Sequence, residues 1–91
     1  MTPIDDIATV AELVRAGRLA EAGFRVMKLG GNLFGWVGPG WREGLDYAVV
    51  TDQHGETDDY EGRAMVGIYR TDGSFQTWLV EVASGRAEQL D

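Results

Sequence analysis

Apolar positions recur every three or four residues at the start of the chain and then switch to a spacing of two. The pattern predicts one helix followed by strands. Ile4, Ile7, Ala11 and Val14 form one apolar stripe, widened by Val10 and Leu13. Thr2 stands where a cap belongs and Pro3 suits the first helical position. Asp5 and Asp6 then fall in the first turn, where the helix dipole favours negative charge. The helix is expected over about 3–16. Thr9 followed by Glu12 is a second capping-box pattern that permits a later start, and Gly17 is the expected stop.

After Phe24 the chain reads as strands, expected at about 24–29, 33–37, 45–51, 63–70 and 75–82, with a short sixth at about 86–90. Gly30-Gly31 supplies the first turn, Gly38-Pro39-Gly40 interrupts any ladder, and Asp72-Gly73 is the strongest hairpin signal. The fold class that follows is α+β: an amino-terminal helix packed on an antiparallel meander of five strands, six if the tail pairs. A small β-barrel plugged by the helix is the alternative architecture.

The strands do not alternate cleanly between apolar and polar. Ala64, Val66 and Ile68 oppose Met65 and Tyr69; Trp78, Val80 and Val82 oppose Phe75 and Leu79; Leu45, Tyr47 and Val49 oppose Ala48 and Val50. One helix covers one face of such a sheet. The other face must be shielded by curvature, by the tail, by a second copy of the chain, or by a partner.

Composition narrows the chemistry. Ninety-one residues with 44% hydrophobic and 25% charged content suffice for one domain with its own core. The absence of cysteine removes disulfides, thiolate nucleophiles and cysteine zinc sites. No apolar run is long enough to span a bilayer, and the first residues carry acids where a signal peptide needs bases, so a cytoplasmic location is expected.

Charge is the most uneven property. Glu43, Asp46, Asp52, Glu56, Asp58, Asp59 and Glu61 follow one another with no Lys or Arg among them, and they match the whole net charge of −7. Direct nucleic-acid binding is disfavoured, because phosphate neutralisation needs clustered bases. Within this stretch Asp52, His54, Glu56 and Asp58 are weak candidates for cation ligands, although their spacing is not that of an EF-hand loop. A solvated or partner-facing acidic loop is the better reading. No serine, histidine or carboxylate spacing forms a catalytic arrangement, and the glycine-rich 35–41 stretch matches no phosphate-binding loop. Neither an enzyme nor a cofactor is expected.

The expectation is therefore a small acidic protein-binding module, of the kind that serves as an inhibitor, an immunity protein or a phage anti-defence protein. It would engage a basic surface on a target such as a nucleic-acid-binding enzyme. Its expected contact residues are Trp36, Trp41, Glu43, Asp46, Asp52, Glu56, Asp58, Asp59, Tyr60 and Glu61, with the acids unneutralised by the chain's own arginines. Trp36 and Trp41 also have core and sheet-end readings, since large aromatics are usually mostly buried. Two further readings are a small-ligand binder with an apolar pocket between helix and sheet, and a structural homodimer that pairs the uncovered sheet face.

Overall fold

The computed structural model describes residues 4–56 and 60–90. Asp6, in extended conformation, caps α1 (Ile7–Ala16), its carboxylate accepting from the Thr9 N–H at 3.0 Å and the Thr9 hydroxyl at 2.9 Å. The helix thus begins later than its expected start near residue 3. Thr9 donates to the cap instead of forming one, and Thr2 and Pro3 lie outside the described residues. Gly17 ends the helix as expected. At φ 68° its backbone is left-handed, and the N–H of Arg18 returns to the Leu13 carbonyl at 2.9 Å. That is the glycine-terminated cap that satisfies the last helical carbonyls.

Six strands follow: β1 (Arg25–Gly30), β2 (Leu33–Val37), β3 (Tyr47–Thr51), β4 (Arg63–Tyr69), β5 (Phe75–Glu81) and β6 (Ala87–Gln89). They pair antiparallel in sequence order, β1 through β6, in one open sheet. The short last strand is present, and the closed-barrel alternative falls because β1 and β6 remain as edges. Gly31-Asn32 forms the first turn, one residue later than expected, with Gly30 opposite Leu33. β3 starts at Tyr47, not at residue 45, because the Leu45 N–H bonds the Gly40 carbonyl at 2.9 Å within the preceding loop. The β4–β5 hairpin turns at Asp72-Gly73, where the Asp72 carboxylate takes both the backbone N–H and the hydroxyl of Ser74.

Burial follows the period-two pattern. Ala48 and Val50 of β3, Ala64, Val66 and Ile68 of β4, and Val80 of β5 are buried on one face. Against them pack Val10, Ala11 and Val14 of the helix, together with Leu19 and Phe24 from the connection that follows it. Trp36 and Trp78 lie half-buried at the margin of this core. The helix sits on the β5–β6 side of the sheet, and no described helix is long and apolar enough to cross a membrane.

Both sheet edges are poor templates for another strand. β6 has three residues, and β1 carries Lys28 beside an irregular register between Lys28 and Gly30. Short edges, bulges and charged residues are how sheets discourage edge pairing.

Candidate partner-binding surface

The face away from the helix is built from the alternate positions of β2 to β5. Tyr47, Tyr69 and Phe75 are direct cross-strand partners there, so three aromatic rings line up across three adjacent strands. The Tyr47 and Tyr69 centroids are 5.3 Å apart at 19°, and those of Tyr69 and Phe75 are 6.0 Å apart at 23°. Such stacked pairs contribute about 0.5–1.5 kcal/mol each beyond the area they bury. Phe75 nevertheless stays 58% exposed and Tyr69 40% exposed.

Beside this ladder runs an open groove of about 540 Å³. Its bed is Val49, Thr51, Met65 and Gly67, and the β1–β2 hairpin supplies one wall through Leu29, Leu33 and Phe34. Tyr60 also lines it, and its hydroxyl reaches the Met65 sulfur at 3.9 Å. Two strand-interior glycines shape the floor. A Cβ on Gly67 would stand 3.0 Å from the Tyr69 ring, and one on Gly35 would stand 2.7 Å from Leu29 Cδ1. The absence of a side chain at each leaves that space to Tyr69 and Leu29. Leu33 and Phe34, 56% and 57% exposed, project from the lip.

The acidic loop borders this groove at one end through Asp52. Asp52 adopts φ 52° and its carboxylate accepts the Glu56 N–H at 2.9 Å, which closes the first turn of the loop. Asn and Asp are the residues that tolerate this backbone, through local hydrogen bonds of this type. Farther along, Arg63 donates to the Tyr60 carbonyl at 3.0 Å and stands 3.6 Å from both Glu61 and Glu88.

The expected acidic surface needs correction here. Arg70 pairs with Asp46 at 3.4 Å and with Asp5 at 2.9 Å, while the Thr71 N–H donates to Asp46 at 2.7 Å. The Thr71 N–H, and after it Arg70, hold the Asp46 carboxyl below its ordinary value. Asp46 is therefore a structural clasp between the helix entrance, the start of β3 and the β4–β5 hairpin. Glu61 shares Arg63. The reason is topological: the meander brings the two ends of β4, where the arginines stand, beside the entrance of β3 and the exit of the loop. A run of acids without bases in sequence is thus partly neutralised in space.

The remaining expected contact residues do not converge on one site. Trp36 packs against the core and borders a cleft of about 190 Å³ together with Asp52 and His54. Trp41, 40% exposed, and Glu43 line a separate groove of about 380 Å³ around Pro39. Tyr60 and Asp52 do meet at the groove on the helix-free face. Asp58 and Asp59 lie outside the described residues. Among the described residues no three His, Asp or Glu side chains gather as a metal site, so Asp52, His54 and Glu56 are not brought together as ligands.

Met65, Tyr69, Phe75, Leu33 and Phe34 were not among the expected contact residues. The signal for them was the excess of apolar side chains on both faces of the strands. Comparison with protein-family models, with curated proteins and with solved structures finds no match.

Proposed function

We propose that this protein is a small acidic binding module that docks a basic partner protein through the helix-free face of its sheet. One observation supports the reading above the others: an aromatic and aliphatic groove, exposed along the sheet, is flanked by the acidic loop of a chain carrying a net charge of −7. A few residues, with tryptophan, tyrosine and arginine over-represented, supply most of the energy in protein interfaces, whereas rim charges set the encounter rate and the choice of partner. Apolar area gives the module its hold, and charge selects what arrives. An inhibitor or immunity-type role fits a module that covers a positive site on its target.

The pairing of Asp46 with Arg70 and of Glu61 with Arg63 moves the emphasis from the acids alone to the face beside them. The pocket-based small-ligand reading has less support, because buried side chains fill the space between helix and sheet and the grooves lie elsewhere. A homodimer through the same face would bring two chains of net charge −7 together.

The test is affinity capture at low and high ionic strength with the wild type, Asp52→Asn/Glu56→Gln, and Met65→Arg, followed by reconstitution with the purified protein that is retained. A basic protein retained by the wild type, released by salt and lost with both variants is the expected result. Equal retention by all three forms, or a retained partner that is acidic, contradicts the reading.

A further inference from the structure

We infer that the groove beside the aromatic ladder is a recognition subsite for an extended protein segment in which an arginine or lysine neighbours an aromatic or large aliphatic side chain. The inference rests on the proposed binding of a basic partner and specifies the chemistry of the contact. The groove is a trough of about 540 Å³. That volume suits one or two side chains and the backbone between them, not a folded domain. Its bed of Val49 and Met65 offers dispersion contacts to an apolar side chain, with Leu33 and Phe34 exposed along its hairpin wall.

The cation is placed by two features. Tyr69 lines the groove, is 40% exposed, and stacks with Tyr47 and Phe75. A guanidinium plane packs against exposed aromatic surface of this kind, as does an ammonium. Among the described lining residues Asp52 is the only acidic or basic one, and Glu56 stands farther along the same loop. The electrostatic complement of this groove is positive.

The same observations select against other occupants. Aromatic rings on a sheet face also serve as stacking platforms for single-stranded nucleic acid, but that mode requires a positively charged track for the phosphates. Here the flanking loop is acidic, and the arginine nearest to it, Arg63, is already shared between Glu61 and Glu88. A second copy of the chain brings like charge to the same face. Addition of a strand at an edge is discouraged by the shortness of β6 and by Lys28 with its register irregularity on β1.

Amide shifts of the isotope-labelled full-length chain report the outcome. The probes are a synthetic peptide alternating arginine with phenylalanine, a counterpart with serine for phenylalanine, and a counterpart with glutamate for arginine. Saturable shifts at Gly67, Thr77, Thr51 and Phe34 are expected with the first peptide, and binding about tenfold weaker or less with either counterpart. Leu33→Ala/Phe34→Ala, at exposed positions, is expected to weaken the first peptide about tenfold while leaving the thermal midpoint in place.

Equal binding of the arginine–phenylalanine and arginine–serine peptides, with shifts confined to the acidic loop, overturns the groove subsite and leaves the basic-partner reading standing. Equal binding of the glutamate peptide overturns both. Concentration-dependent shifts at Gly67 and Thr77 without peptide assign the groove to a second copy and overturn the inference. So does a lack of saturable shifts with all three peptides.

Discussion

The two faces of the sheet are nearly matched in apolar content and opposite in what is done with it. Toward the helix stand small and branched side chains, Ala48, Val50, Ala64, Val66, Ile68 and Val80, all withdrawn from solvent. Away from it stand larger and flatter ones, Tyr47, Met65, Tyr69 and Phe75, which lie across the strands and remain partly wet. The first set has the shape of a core that one helix can fill. The second covers itself as far as side chains can by stacking on one another. Apolar residues on both faces of a strand therefore do not imply layers on both sides; the type of residue separates the buried face from the exposed one.

Substitutions that treat the two faces alike should give unlike results, and the largest difference is in stability. Phe24 is fully buried against the helix-side core, so Phe24→Ala is expected to cost about 3–5 kcal/mol. Phe75→Ala, on the opposite face, is expected to cost about 1–2 kcal/mol. Chemical denaturation of the two variants side by side measures the contrast, and equal losses would mean that the second face is buried as well.

A smaller effect is expected at the neck of the acidic loop. Gly55 has φ 65°, and a Cβ there would lie 2.6 Å from the carbonyl carbon of Gly62. Gly55→Ala must therefore part the two arms of the loop, at about 1–3 kcal/mol. Faster amide exchange in residues 52–56 and 60–62, with β3 and β5 unchanged, would show that the loop is held by this contact.

The smallest effect is expected from acid. Hydrogen bonding from Thr71 and the charge of Arg70 lower the Asp46 carboxyl, and the Ser74 hydroxyl and N–H lower that of Asp72. A carboxyl lowered by folding contributes stability that is complete above its unfolded value of about 3.9 and is lost as pH falls through the folded value. Thermal midpoints should drop on acidification below that range, and Asp46→Asn should flatten the drop while lowering the midpoint at neutral pH. A wild type and variant with parallel acid limbs would remove Asp46 from the clasp.

Much of the fold was legible because its signals are local. The helical stripe, Gly17, Asp72-Gly73 and the alternation of β3 to β5 each need only a few neighbouring residues to be read. The true cap was harder, since Asp6 and the expected Thr2 both carry capping side chains and only the backbone distinguishes them. The candidate site was less legible, for the same reason applied at longer range. Arg70 stands far along the chain from Asp5 and Asp46, so no spacing announces their pairing. Likewise, the alignment of Tyr47, Tyr69 and Phe75 depends on strand register, and composition could reveal only that one face was left over.

The exposure of that face in the free chain can be read directly from the broadening of side-chain signals by a paramagnetic co-solute, repeated across a range of protein concentrations. The Met65 methyl and the Phe34 and Phe75 rings should broaden strongly and equally at every concentration, while the Val66 and Ile68 methyls stay sharp. Met65 and Phe75 as protected as Val66, or protected only when the protein is concentrated, would show that the chain already covers this face, by itself or with a second copy, and that no open docking surface exists.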